Sequence, residues 1–269
     1  MILSDKTLAV RLETAQALNQ VEYAKAYNRM GLEPEAAHKK IGSGHAVFAG
    51  ADSPLTQAFG LGLEGEVDDD ELDELEAFFK DRGAGVNVEV CNMADMIFIQ
   101  KLIERGYTIS EFTHVLARPI ATTEAFDVSG DYIIREVGED EIDTYSRVVA
   151  EGFVEHGLAQ DSLTDVFKVF FRQANCTCFA ALNNGEPAGG GAVFIQDGVA
   201  ELGGASTIPR HRNLGIQTGL LRRRLGFGAS KGCDLAMVTT LPGTTSQRNV
   251  QRQGFQIVYA RTKFTREWK

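Results

Sequence analysis

The sequence predicts an α+β protein built from two similar halves in tandem. Three observations predict it. Helix-like and strand-like periodicities interleave along all 269 residues. Residues 68–117, shifted by 148, fall on the later half element for element without a gap, so that VNVEV meets DLAMV and LIERGYTI meets VQRQGFQI, with Gly106 on Gly254 and Tyr107 on Phe255. The later half also carries an antiparallel meander, CTCFAAL, GGGAVFIQ and VAELGGAST, joined by the turns NNGEP and DG.

The first 40 residues read as helical, because Leu8, Leu12, Ala15 and Leu18 recur at helix spacing. GSGHAVFAGAD and PLTQAFGLGLE read as two strands around a turn at DSP. DDDELDELEAFFKDRG is a helix, with carboxylates in its first turn, Leu72, Leu75 and Phe79 on one face and Gly83 at its end. VNVEV is a strand, MADMIFIQKLIERG a helix, and YTISEFTHVLARP a strand stopped by Pro119. Residues 121–131 read as a linker. A strand (YIIREV) and two helices (DEIDTYSRVVAEGFVEHG and DSLTDVFKVFFRQA) precede the meander. A helix to about Gly232, the strand DLAMVTTL, the short helix TTSQRNVQRQG and the strand FQIVYARTKFT complete the chain. The expected domains are therefore 1–120 and 132–269, with 121–131 between them.

Apolar content of 43% and charged content of 24% describe a globular chain. No apolar run reaches the ~20 residues of a bilayer span, and no leader-like segment opens the chain, so a cytoplasmic protein is expected. Cys91, Cys176, Cys178 and Cys233 make no disulfide framework. Cys176 and Cys178 alternate on one strand face and read as reduced, buried thiols; no metal site is expected. Charge is uneven: residues 201–269 carry 12 Lys/Arg and 3 Asp/Glu, a net of +9 within a chain of net −10. A basic end on an acidic chain implies an anionic ligand or an acidic neighbouring surface, whereas bulk nucleic acid would be repelled by the acidic remainder.

The basic region centres on IPRHRNLGIQTGLL, residues 208–221. Pro209 closes a strand, and a helix begins about five residues later. The first-turn amides of a helix have no intrahelical partners, and with the macrodipole they form an anion site. Gly215 lets the backbone approach a ligand, and Arg212 offers a planar fork for phosphate. The expectation is a diphosphate held by the amides of Asn213, Leu214, Gly215, Ile216, Gln217 and Thr218 with help from Arg212. The alternative is an ordinary solvated helix start. This stretch is neither a GxxxxGK[ST] loop nor a GxGxxG turn. Arg222, Arg223 and Arg224 spread by about 100° each and cannot share one ligand. Most read as solvated or paired with acidic groups, with one able to reach a further phosphate. His156 reads as a helix-end contact and His211 as a solvated loop residue.

At these residues the later half resembles the GNAT family of acetyl-CoA-dependent acyltransferases. The resemblance rests on the loop Arg212-Asn213-Leu214-Gly215-Ile216-Gln217, on the order of elements from 131 to 269, and on Gln253-Gly254-Phe255 before the last strand. The family loop is Q/R-x-x-G-x-G/A, so Gln217 is a departure whose side chain must point away from phosphate. The resemblance implies two GNAT-like domains in tandem, each a mixed, mostly antiparallel sheet flanked by helices. It implies acetyl-CoA as co-substrate, with the main chain of Ser206, Thr207 and Ile208 pairing with the pantetheine arm. Glu201 becomes the candidate base, and its other reading is a solvated or strand-paired carboxylate. The oxyanion donor is expected at the N–H of Ile208 or a neighbour. The tyrosine that protonates the thiolate in much of the family is replaced by Val250. Asn249 and Ser246 are candidate contacts to the cofactor or thiolate, against plain helix-surface roles, and Tyr259 is a substitute acid or a core residue.

The repeat offers an internal comparison: Glu64 falls at Arg212, Val67 at Gly215, and Asp68, Asp69 and Asp70 in the helix's first turn. Carboxylates there satisfy the helix start and repel a diphosphate, so the first half is read as a degenerate domain that excludes CoA. No nucleophile motif suggests an acyl-enzyme. The expected activity is transfer of an acetyl group from acetyl-CoA to a primary amine of a small molecule, by direct attack in a ternary complex. The acceptor is expected near a strand splay at Val238 to Leu241. The alternative is a CoA-binding sensor without turnover. No nucleic-acid or membrane partner is expected, and the chain is read as a monomer or homodimer.

Overall fold

The computed structural model describes residues 2–124, 126–128, 130–153 and 160–268. It divides into two compact units, residues 1–117 with 239–269, and residues 118–238.

The first unit begins with α1 (Lys6–Arg29), capped by the Asp5 carboxylate, which accepts from the Leu8 amide at 2.8 Å. The helix ends earlier than the sequence predicts. Residues Ala37–Ile41 form strand β1 instead, because five rungs pair them antiparallel with β2 (Gly44–Phe48). β3 (Gln57–Phe59) follows, then α2 (Asp69–Lys80), β4 (Val86–Cys91), α3 (Met96–Glu104) and β5 (Thr108–Pro119). β2 and β3 are antiparallel, and β3 and β4 run parallel across the α2 crossover. Leu72, Leu75 and Phe79 of α2 pack on Val86, Val88 and Val90 of β4 and on Leu102 of α3.

The second unit contains β6 (Tyr132–Glu136), α4 (Ile142–Glu151), α5 (Gln160–Arg172), β7 (Cys176–Asn183), β8 (Glu186–Gln196), β9 (Val199–Thr207), α6 (Ile216–Ser230) and β10 (Leu235–Thr240). β6 to β9 are successive antiparallel neighbours, and β10 returns parallel to β9 across α6. α7 (Thr245–Gln251) and β11 (Gln256–Arg266) follow. Both units are mixed sheets, mostly antiparallel, with one parallel pair spanned by a crossover helix. The repeat holds in detail: shifted by 148, α2, β4, α3 and β5 each fall on α6, β10, α7 and β11.

The compact units differ from the expected domains in two ways. Residues 121–131 belong to the second unit, and residues 239–269 belong to the first. β11 explains the latter. It pairs antiparallel with β4 on one side and β5 on the other. Phe264 is buried in the first unit's core, and the Trp268 indole donates to the Ala84 carbonyl at 2.6 Å. Beneath the same strand, Arg261 Nε donates to Glu13 of α1 at 2.6 Å, with both side chains 1% exposed. Continuity along the chain predicted an uninterrupted second domain, but strand pairing assigns its last segment to the first unit.

Candidate functional site

β8 and β9 carry the local structure that shapes the site. Their register shifts between Gly190 and Ala192, and Gly204 takes a left-handed φ of +52°. A bulge leaves carbonyls without ladder partners. Arg224 of α6 fills this gap from below: its Nη1 donates to Ala192 O at 3.0 Å and Gly203 O at 3.2 Å, and its Nε donates to Leu220 O at 3.0 Å. Burial pushes its guanidinium down to about 10, which still leaves it cationic at neutral pH, and Tyr145 and Cys178 act in the opposite direction. Arg224 is therefore not a solvated surface residue. Of its neighbours, Arg223 lies over the Phe179 ring at 5.5 Å and Arg222 donates to the Asp127 carbonyl at 3.3 Å.

Glu201 stands where β9 and β10 part. The parallel rungs are Leu235 with Val199, Ala236 with Ala200, and Met237 with Glu201. β9 then runs on to Thr207 and β10 to Thr240 without further rungs between them. On its other side Glu201 pairs with Phe194, which pairs with Cys176, so these side chains share a sheet face. Glu201 is half-buried there. Burial is the main influence raising the Cys176 thiol, and the Glu201 charge adds to it.

Beyond the splay, the three predicted strand contacts separate by role. The Ile208 amide donates to Ala188 O of β8 at 3.0 Å, so it is not the expected oxyanion donor. The Ser206 hydroxyl donates to Val149 O at 2.7 Å beneath α4. Alternation along the strand turns the Thr207 N–H away from β8, to the edge that faces β10.

The loop that follows is a single turn of 3₁₀ helix, Pro209–His211, then extended Arg212, left-handed Asn213 (φ +65°) and left-handed Gly215 (φ +81°). His211 is buried rather than solvated: its Nδ1 lies 3.2 Å from Asn183 Nδ2, and its Nε2 lies 3.9 Å from Glu186. Gly215 is the N-cap of α6 and provides no side-chain cap. Among the described residues, the amides of Asn213, Leu214, Gly215, Ile216, Gln217 and Thr218 have no backbone acceptor; the first α6 bond runs from Gly219 N to Gly215 O at 3.0 Å. Asn213, Leu214 and Gly215 are exposed.

Arg212 and Gln217 also make side-chain contacts within the loop. Arg212 Nε donates to Thr207 O at 3.1 Å and Nη2 to Gly152 O at 3.5 Å, bracing the loop against the ends of β9 and α4. Gln217 Oε1 accepts from the Thr207 hydroxyl at 3.2 Å, which draws the side chain back towards the strand end. That contact explains how the loop tolerates glutamine at a small-residue position.

The matching place in the first unit is closed. Asp68 caps α2, accepting from the Glu71 amide at 2.8 Å, while Glu71 accepts from the Asp68 amide at 3.1 Å. Arg105 adds contacts to Asp69 at 3.0 Å and Asp73 at 2.6 Å. Ser246 and Asn249 stand on α7 in this unit, the former exposed and the latter half-buried. Val250 is buried, and Tyr259 is a core residue whose phenol burial pushes well up. His156 lies outside the described residues. Among the described residues, no cluster of three or more His, Cys, Asp or Glu is placed to hold a metal, and no helix is long and apolar enough to cross a membrane.

Sequence reasoning missed Tyr132, whose hydroxyl donates to Gly215 O at 3.1 Å, and the bulge-filling role of Arg224. The signal for Tyr132 lay in α6 itself: glycine in a helix interior costs about 1 kcal/mol relative to alanine, so Gly219 and Gly226 imply close packing.

The comparisons bear on the fold that carries this site. The acetyltransferase (GNAT) family model matches residues 138–255. A GCN5-related N-acetyltransferase from Kribbella flavida superposes with a TM-score of 0.70 at 17% identity, covering 97% of this chain and 96% of that one. A tandem GNAT protein from the clavulanic acid biosynthesis pathway gives 0.60 at 13% identity, covering 99% and 97%. A GCN5-related N-acetyltransferase from Sphaerobacter thermophilus gives 0.58 at 16%, covering 95% and 91%. No curated protein matches the chain in sequence. The chain thus has the fold of a tandem GNAT protein, and its residues 138–255 match the acetyltransferase (GNAT) family model.

Proposed function

We propose that this protein is an N-acetyltransferase that moves an acetyl group from acetyl-CoA to a primary amine of a small molecule, and that only its second unit binds the cofactor. The observation that carries this reading is the contrast between two equivalent helix starts. α6 opens on glycine with a run of amides that, among the described residues, have no backbone acceptor, whereas α2 opens on its own carboxylates. The amides from Asn213 to Thr218 suit a diphosphate, which needs donors and a positive local field. The open edge of β9 at Thr207 suits an amide-bearing arm such as pantetheine.

In the proposed reaction the neutral amine attacks the thioester carbonyl directly, forming the C–N bond while the C–S bond breaks, and the N–H proton that the new amide sheds passes through water to the departing CoA thiolate. Glu201 takes the ammonium proton, directly or through water, because a primary amine is mostly protonated at neutral pH. The Thr207 N–H stabilises the developing oxyanion. The acidic composition of the chain favours a cationic acceptor.

Titration calorimetry with CoA, and acetyl-CoA turnover followed by free-thiol release across a panel of amines, test this reading. Arg212→Glu copies the residue at the equivalent place in the first unit, loses both loop braces and adds a negative charge. It is expected to weaken CoA binding by about 100-fold or more, equivalent to about 2.7 kcal/mol, while the melting temperature stays close to that of the wild type. Unchanged CoA affinity in this variant would place the diphosphate elsewhere. The buried Val250, at a position where a proton donor is usual, motivates a second reading as a CoA-binding sensor. CoA binding without amine-stimulated thiol release selects it.

A further inference from the structure

We propose that Tyr132 is a positioning residue for the cofactor cradle, the last of a strap of contacts that Phe126, Asp127 and Tyr132 make along α6. The inference rests on the reading of the α6 start as the diphosphate site. Gly215, Gly219, Arg222 and Gly226 recur at four-, three- and four-residue spacing and so lie on one face of the helix. Each meets a residue of the strap. Phe126 packs at Gly226, where an added Cβ would come within 3.4 Å of the phenylalanine Cβ. Arg222 holds the Asp127 carbonyl. The Tyr132 ring occupies the space a side chain at Gly219 would need, since a Cβ there would lie 2.6 Å from its hydroxyl oxygen and 2.7 Å from Cε2. Phe126 and Asp127, from the segment expected to be a linker, therefore pack along the helix, with Arg118 paired with Glu124 and lying over the Phe126 ring at 5.5 Å.

The hydroxyl acts on one peptide group. Gly215 O accepts from Gly219 N at 3.0 Å and from Tyr132 OH at 3.1 Å. A peptide unit is planar and trans, so fixing the Gly215 carbonyl also fixes the Ile216 N–H, which points the opposite way. That N–H belongs to the proposed cradle. Glycine at φ +81° has little steric preference of its own, so this peptide needs an external brace to hold one orientation before the anion arrives. Pre-organising the donor lowers the cost of binding without adding a contact to the cofactor.

Tyr132→Phe removes the hydroxyl and keeps the ring. It is expected to weaken CoA binding by about three- to tenfold, the range for one hydrogen bond. The loss should fall on KM for acetyl-CoA rather than on kcat, and the Ile216 and Gly219 amides should exchange faster in the cofactor-free protein. A merely structural tyrosine would lower the melting temperature and leave KM unmoved. Gly219→Ala should displace the ring and weaken CoA binding at least as much. Adding Gly219→Ala to Tyr132→Ala should cost less than Gly219→Ala alone, because the tyrosine contacts are gone and only the Ile134 Cδ1 contact at 2.8 Å remains. A wild-type chain that binds CoA with a Tyr132→Phe variant of equal affinity overturns this inference alone. A wild-type chain that does not bind CoA overturns the functional reading and this inference with it.

Discussion

Glu201 shares the last parallel rung with Met237, half-buried at the point where the strands part. A carboxylate there has access to the edge that β10 leaves open, which is where a base for an incoming amine is needed. Glu201→Gln should lower kcat by about 10²- to 10⁴-fold, the usual contribution of general acid–base catalysis, and should remove the acidic limb of the pH–rate profile. A profile of unchanged shape and height would reduce Glu201 to a strand residue. Other single residues were less legible. Arg212 was readable as a cation beside an anion site, yet its guanidinium braces Thr207 and Gly152. The sequence does not say which of several nearby acceptors a long side chain will choose.

At the scale of elements, α2 and α6 occupy equivalent places and differ at their first turns. Capping decides what each can hold. The Asp68–Glu71 box uses the donors that α6 leaves open. Asp68→Ala should destabilise the first unit by about 0.5–2 kcal/mol, measured by chemical denaturation, with CoA affinity unchanged. Altered affinity would contradict the assignment of the cofactor to α6. This contrast was visible in the residues, because carboxylates and glycine at a helix start have direct physical meanings. The splay was only partly visible. Its position depends on where two strands stop sharing hydrogen bonds, and that reflects twist and the packing of α4 and α6 rather than local sequence.

At the scale of the molecule, β11 decides the architecture. It closes the first unit's sheet between β4 and β5, and a buried Arg261–Glu13 pair ties it to α1. Removing one partner of such a pair leaves an uncompensated buried charge, which typically costs about 3–5 kcal/mol. Glu13→Ala should therefore lower stability by that order in equilibrium unfolding, and Glu13→Ala with Arg261→Met should recover part of it. An additive double variant would mean that the pair is not coupled. The packing on α6 has the same character: Phe126 and Asp127 had the composition of a connecting loop and Tyr132 that of a strand residue, and only their contacts with Gly226, Arg222 and Gly219 give them a role.

Periodicity, turn residues and capping chemistry act over a few residues, so the sequence alone determined the order of helices and strands apart from β1, the repeat, and the uncapped helix start at Gly215. Strand exchange, the bulge filled by Arg224 and the grip of Tyr132 on Gly215 join residues 21 to more than 200 positions apart. Only the tertiary structure decided these, because which distant groups meet depends on how entire strands and helices pack.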